Sequence, residues 1–302
     1  MATMCREICG DLRKTALPKM KFSIVIPTFN GATYVDDAIQ SALRQTRPAD
    51  EIIVSDDNSQ DDTLSICQAY GDRIKIHTNP DGPSGFVNGW NNAVDLATGD
   101  YVSVLHQDDT LEPTFLEEAE KGFTKYPKAK YLFAPCNYIN EKGSIISSPG
   151  YCNGRIVHYS GKQYIKAYYT FGTPNIHRCP GVITHSDVLS KCRFRPEAGH
   201  IADDDFFYRV GQYTDIIGVM SPLANYRIHA SSVTGSMNDI LLSKKLLEDY
   251  DFQLNHFGEN ILFDHADRQF FKYWKYRHLR RVLGYSIKHI NLKLFLFALK
   301  HI

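Results

Sequence analysis

Tyr101-Val102-Ser103-Val104-Leu105-His106-Gln107-Asp108-Asp109 is the stretch on which the reading of this chain turns. Its first five residues are apolar, aromatic or β-branched, and the turn signal Thr98-Gly99-Asp100 precedes them. They read as a buried strand. Two adjacent carboxylates follow at once. Like charges a few ångström apart repel, and each raises the pKa of the other unless a cation lies beside them. In an open α/β sheet, ligands bind just past the carboxyl ends of the strands. The pair therefore marks where a divalent metal and a phosphorylated ligand are expected. Alone it also fits a solvated turn, and the remainder of the chain decides between the two.

Upstream, residues 21–26 (Lys-Phe-Ser-Ile-Val-Ile) read as a strand that Pro27 ends, since proline has no amide hydrogen for a ladder. Thr28-Phe29-Asn30-Gly31 is a loop. Residues 34–45 read as a helix, with Val35, Ile39, Ala42 and Leu43 on one stripe. Glu51-Ile52-Ile53-Val54-Ser55 is a second strand, followed by Asp56-Asp57-Asn58-Ser59. Asp61-Asp62-Thr63 opens a helix to about residue 70. Residues 73–77 form a third strand, and residues 88–97 a further helix. Alternating units of this length predict an α/β fold with a mostly parallel sheet and helices on both faces. Right-handed crossovers place the strand ends on one side. Pro27-Thr28, Asp56-Asp57 and Asp108-Asp109 thus converge on one edge. The chain has neither a Gly-x-x-x-x-Gly-Lys-Ser/Thr loop nor a Gly-x-Gly-x-x-Gly after the first strand. A diphosphate here needs a metal to neutralise it, and Asp109 offers a hard oxygen ligand.

The chain has 302 residues, with 34 basic and 34 acidic side chains. A net charge of zero gives no general field for nucleic acid, and no nucleic-acid partner is expected. The charge is uneven: residues 268–302 hold nine Lys/Arg and no Asp/Glu. The seven cysteines are scattered and lack any Cys-x-x-Cys, which argues for reduced thiols in a cytosolic protein. No run reaches the ~18 apolar residues of a spanning helix. Four regions are expected: an N-terminal extension 1–19, a first half 20–125 that carries the strand-end site, a second half 126–235, and a helical basic region 236–302.

Ser23-Ile24-Val25-Ile26-Pro27-Thr28-Phe29-Asn30-Gly31, then Val54-Ser55-Asp56-Asp57-Asn58-Ser59, then Leu105-His106-Gln107-Asp108-Asp109 together resemble family 2 glycosyltransferases over roughly residues 21–227. The resemblance implies a GT-A-type, Rossmann-like fold, a nucleoside-diphosphate sugar donor and transfer with inversion. It implies that Pro27, Thr28, Phe29 and Asp57 hold the base. Asp108 matches the position near the ribose and Asp109 the position on the metal, Mn²⁺ or Mg²⁺. Asn92 matches the Asn of the helix before the metal strand, and helix packing is its other reading.

In the second half, residues 131–134 and 180–184 read as strands, 137–148 as a hairpin and 161–169 as a helix. Inverting displacement requires the acceptor hydroxyl to lose its proton as it attacks, and a carboxylate within reach serves as base. Ile201-Ala202-Asp203-Asp204-Asp205-Phe206-Phe207-Tyr208-Arg209 places three acids at the start of an apolar helix, where the dipole stabilises them. At least one of the three is expected to cap that helix. The segment resembles the family's Glu-Asp-x-Asp stretch. That alignment puts Asp203 on the base, with Asp204 in reserve because Ala202 stands where the family has Glu. Tyr226-Arg227-Ile228-His229, followed by Ser231-Ser232-Val233-Thr234, resembles the segment after the base helix. It implies His229 on metal or diphosphate and Arg227 beside the leaving group. A further helix is expected over residues 238–250.

The expected activity is metal-dependent inverting transfer from a nucleoside-diphosphate sugar, UDP-sugar favoured, to a glycan, polysaccharide or lipid-linked hydroxyl. Two rivals remain. A sugar nucleotidyltransferase would carry a basic Gly-rich triphosphate loop, and residues 27–31 hold no Lys or Arg. A non-catalytic nucleotide-sugar-binding or membrane-surface protein would keep the same fold. The basic, aromatic segment 268–302 fits peripheral contact with the inner face of an anionic membrane, or packing as a domain or dimer helix.

Overall fold

The structure is a computed structural model that describes residues 19–150, 152–164, 179–230, 232 and 239–302. The expected extension up to residue 18, the expected helix beyond Tyr164, and Ser231, Val233 and Thr234 lie outside the described residues.

The first half alternates strand and helix: β1 (Phe22–Thr28), α1 (Val35–Leu43), β2 (Glu51–Asp56), α2 (Thr63–Gln68), β3 (Lys75–Thr78), α3 (Phe86–Asp95) and β4 (Tyr101–Val104). It continues through β5 (Thr110–Leu111) and α4 (Phe115–Lys125), a helix with no counterpart in the reading above. The second half adds β6 (Ala129–Phe133), β7 (Cys136–Ile139), β8 (Ile145–Ser147), β9 (Ile156–Tyr159), β10 (Val182–His185) and the short α5 (Ser186–Leu189). It closes with α6 (Ala202–Val210), β11 (Asp215–Val219), β12 (Ala224–Arg227), α7 (Asp239–Asn255), α8 (His265–Lys288) and α9 (Leu292–Leu299).

Among the described residues the main sheet has the order β3-β2-β1-β4-β10-β6-β11-β9. Strands β3, β2, β1 and β4 are parallel, whereas β10 runs antiparallel to both β4 and β6. The sheet is therefore mixed, not mostly parallel throughout. Strand β10 enters against its neighbours, and no local pattern in Val182–His185 encodes direction. Successive side chains of β1 go to opposite faces: Ile24 and Ile26 join Ile39, Phe115 and Leu132, while Val25 joins Val104, Tyr131 and Phe206. Both faces are covered, which is why these strands read as unbroken apolar runs.

Pro27 does not end β1; the strand continues through Thr28 in register with Asp56. Val25 O accepts from Leu105 N–H on the β4 side. Two residues on, the nitrogen of Pro27 faces that same side, past the last β4 pairing at Val104, so the missing proton interrupts none of the paired residues.

A second sheet, β5-β12-β7-β8, stands at the carboxyl end of the first. Strand β12 pairs with β5 and β7, so it carries Arg227 and then His229 directly over Asp108-Asp109. The expected hairpin is β7-β8. Among the described residues no helix is long and apolar enough to cross a membrane.

Candidate active site

Asp57 leaves the end of β2 and is 6% exposed. Its carboxylate accepts from Asn79 Nδ2 at 2.7 Å, from Ser84 N–H at 2.6 Å and from Ser84 Oγ at 3.0 Å. The loop before α3 closes over it so tightly that a Cβ on Gly82 would lie 2.6 Å from the Asp57 carbonyl oxygen. Asn92 donates to Ser84 Oγ at 3.3 Å, so it supports Asp57 through that serine. The Thr28 hydroxyl is buried against Asp56 Oδ1 (3.2 Å) and serves the strand end. The Phe29 ring is exposed.

Gln107 had no assigned role, and its part is visible only in three dimensions. Its Oε1 accepts from Phe29 N–H at 2.9 Å and its Nε2 donates to Phe29 O at 3.2 Å. The side chain lies where a Cβ on Gly31 would be, 2.3 Å from Oε1. This two-point clamp ties the loop after β1 to the loop after β4. The glycine is needed there for space, not for a positive φ.

His106, Asp108 and Asp109 place ligand-type atoms within 4.8 Å of one another. The members differ in access. Asp109 is 1% exposed, and its Oδ1 accepts from Arg227 N–H at 2.8 Å. The Asp108 side chain is 24% exposed, and its Oδ2 lies 2.9 Å from His229 Nε2. His229 in turn packs on the Tyr34 ring, with centroids 4.7 Å apart. His106, Asp108 and Asp109 are together a candidate divalent-metal cluster.

Arg227 is not free to meet a leaving group. It is 1% exposed and its guanidinium is engaged throughout. Nε donates to Asp108 O at 2.7 Å, Nη1 to Glu141 O at 3.0 Å, and Nη2 to Asp37 Oδ2 at 2.8 Å. It braces the acidic turn from behind.

Helix α6 begins at Ala202, and its N-cap is Ile201, with no side-chain cap. The three acids occupy the first turn and none caps it, contrary to expectation. Asp205 is 2% exposed and is held by Arg209 Nε at 2.9 Å and Gln253 Nε2 at 2.9 Å, which makes it structural. Burial pushes the pKa of His106 down, and the charges of Asp108 and Asp203 oppose that shift. Burial raises the pKa of Tyr250 on α7, and Asp204 and Asp249 raise it further. The buried Cys179 thiol is pushed well up by desolvation, with Asp203, Asp109 and Asp204 adding to it.

Solved structures share this fold. Residues 1–349 of Staphylococcus aureus TarS superpose with a TM-score of 0.68 at 18% identity, covering 93% of this chain and 80% of that one. A mannosyltransferase of Pyrobaculum calidifontis, solved with GDP-Man and Mn²⁺, gives a TM-score of 0.54 at 15% identity over 88% of this chain and 76% of that one.

The family model for glycosyl transferase family 2 matches residues 23–182, more than half of the chain, and the chain belongs to that family. A chondroitin synthase of Pasteurella multocida is 36% identical over 129 residues, 42% of this chain and 13% of that protein. A GalNAc(5)-diNAcBac-PP-undecaprenol beta-1,3-glucosyltransferase of Campylobacter jejuni is 36% identical over 132 residues, 41% of this chain and 40% of that protein. An uncharacterized glycosyltransferase of Rickettsia prowazekii is 29% identical over 216 residues, 71% of this chain. The chain spans no more than 66% of the length of any of these relatives.

Proposed function

We propose that the chain transfers a sugar from a nucleoside-diphosphate sugar to the hydroxyl of a glycan, polysaccharide or lipid-linked acceptor, with inversion and with a divalent metal, on a GT-A-type fold. The observation that carries this reading is the His106-Asp108-Asp109 cluster just past the end of β4, in a chain of glycosyl transferase family 2. Solved proteins of the same fold hold UDP-GlcNAc in one case and GDP-Man with Mn²⁺ in another. UDP-sugar is the favoured donor.

Asp57, fixed by Asn79 and Ser84, reads the base, and Pro27, Thr28 and Phe29 shape its mouth through the Gln107 clamp. The metal would be held by Asp109, with Asp108 and His106 of the same cluster within reach and His229 2.9 Å from Asp108 Oδ2. Asp109 spends one oxygen on Arg227 N–H and fixes the turn from the buried side. When bound, the metal neutralises charge developing on the diphosphate. Asp203 accepts the acceptor proton as the hydroxyl oxygen bonds to the anomeric carbon and the bond to the diphosphate breaks. A carboxylate in the first turn of a helix is favoured in its charged form, as a base must be.

Calorimetric titration of UDP with and without Mn²⁺ tests the donor site. Wild type is expected to bind in a metal-dependent way, and Asp109→Ala to weaken that binding by at least about 100-fold, since loss of groups that merely orient a ligand already costs 10–100-fold. Binding of GDP in place of UDP keeps the mechanism and changes the donor. An Asp109→Ala protein with wild-type Mn²⁺-dependent affinity sinks the metal assignment. No nucleotide binding at all sinks the enzyme reading.

A peripheral membrane contact is part of the proposal. Helix α8 buries Phe271, Leu279 and Val282, so one face packs as a domain helix. Ile287, Ile290, Leu292, Leu296 and Ile302 remain exposed among Lys288, Lys293 and Lys300. An apolar face rimmed by Lys suits an anionic lipid surface. Co-sedimentation with phosphatidylglycerol vesicles at low salt is expected, and its loss in Leu292→Glu/Leu296→Glu. Equal recovery of both proteins with the vesicles would remove this part.

A further inference from the structure

Helix α3 carries an aromatic strip that the reading above leaves unused. The ring of Trp90 stacks on His106, with centroids 4.8 Å apart and planes at 19°. One turn earlier, Phe86 meets Trp90 edge-on at 5.3 Å. Phe86 also lies over His200, with centroids 6.0 Å apart and planes at 23°. His200 belongs to the 3-10 turn Pro196–Ile201, which runs directly into α6 and Asp203. Beneath, Phe194 touches the Trp90 ring at 5.3 Å and stacks on Phe206 of α6 at 4.6 Å. The strip thus bridges the two chemical poles of the site, from the metal-type cluster to the base helix.

Its exposure is unusual for such a place. Phe86 is 40% exposed and Trp90 only half-buried, although the core packed below them is full of aromatic side chains. A large ring left in water costs hydrophobic free energy. The exposed Phe86 ring, held edge-on against Trp90 beside the metal-type cluster, offers an apolar aromatic ledge with low ordering cost on binding. A pyranose whose substituents are equatorial presents such a ledge with an apolar face of axial C–H bonds.

We propose that Phe86 and Trp90, backed by His106 and His200, form a sugar-stacking subsite that seats an equatorially substituted pyranose ring between the metal-type cluster and Asp203. The proposal rests on the glycosyltransferase reading and names residues for its sugar specificity. The ring belongs either to the donor or to the acceptor, and the two share this face chemistry.

The chain has two tryptophans. The variant Trp274→Phe leaves Trp90 as the sole indole reporter. In that background, Trp90 emission is titrated with UDP, UDP-glucose, UDP-GlcNAc and GDP-mannose in Mn²⁺, and with cellotetraose and chitotetraose in the presence of UDP and Mn²⁺. A saturable change produced by a sugar nucleotide beyond that of its parent nucleotide places the donor ring on the ledge. A change produced by a tetrasaccharide places the acceptor ring there. In either case Phe86→Ala is expected to weaken that response about tenfold or more, and Phe86→Leu nearly as much, because apolar bulk without a flat face does not stack. Nucleotide affinity by calorimetry is expected to stay unchanged in both variants. Sugars that leave Trp90 emission unmoved while UDP and Mn²⁺ bind overturn the subsite and leave the enzyme reading standing. A response that survives Phe86→Ala at full affinity also overturns it. Absence of any nucleotide binding is the separate failure of the parent reading, and the tetrasaccharide titration still tests the ledge in that case.

Discussion

Asp203→Asn is expected to lower sugar transfer by about 100- to 10,000-fold, the usual contribution of a positioned general base, while UDP affinity in Mn²⁺ stays at the wild-type value. The separation follows from where Asp203 stands. It lies in the first turn of α6 with one oxygen on the Asp204 N–H at 2.9 Å, and its charge reaches His106. Nothing in the Asp57 site or in the Asp108–His229 pair depends on it. An amide keeps the volume and the acceptor oxygen, so α6 retains its aromatic packing through Phe206 and Phe207. What is lost is the capacity to take a proton. Asp204 supplies the control. It sits one residue later and acts toward Tyr250, so Asp204→Asn is expected to retain most of the turnover. Single-turnover transfer with saturating donor distinguishes the two. Wild-type turnover in Asp203→Asn, with loss in Asp204→Asn, would move the base one position along the helix.

Arg227→Met is expected to destabilise the fold by about 2–3 kcal/mol, because the hydrogen bonds of a buried guanidinium are lost and part-buried carbonyl oxygens lose a donor. Asp108 O, Asn140 O and Glu141 O all accept from this guanidinium, and its Nη2 reaches Asp37 from α1. The side chain is among the largest fully buried ones in the protein. A loss of this size lowers the melting temperature by a few degrees. Arg227→Lys is expected to fail nearly as badly, since an ammonium cannot span carbonyls on three sides. The backbone N–H of residue 227 still holds Asp109 Oδ1 in either variant, but the carbonyl of Asp108 is released, so metal-dependent nucleotide binding should weaken along with stability. A denaturant midpoint equal to that of wild type would show that water replaces the guanidinium, and would remove the bracing role.

Much of this was legible in the residues themselves. The alternation of Ile24, Val25 and Ile26, with both faces apolar, states that β1 is buried on both sides, and the structure divides those residues between two cores. Given parallel pairing and right-handed crossovers, Thr28, Asp56-Asp57 and His106-Gln107-Asp108-Asp109 had to meet at one edge. The acids before Phe206 likewise announced a helix start. Sequence-local rules reach their limit at two places. Pro27 does not end β1, because the pairing on its nitrogen side stops before it. No Asp caps α6, because Ile201 occupies the N-cap.

Composition, periodicity and three short motifs determined the α/β class and the meeting of three polar strand ends, because each of these is a matter of neighbours within about ten residues. Tertiary structure alone decided the division of labour inside that site. It set Asp108 against His229 across 121 residues, buried Asp109 under Arg227 across 118, and clamped Phe29 with Gln107 across 78. It also turned β10 antiparallel and laid Trp90 on His106. Which of two adjacent aspartates is accessible is settled by what packs against each. That is a property of the second sheet folding over the first, and no local pattern in residues 106–109 contains it.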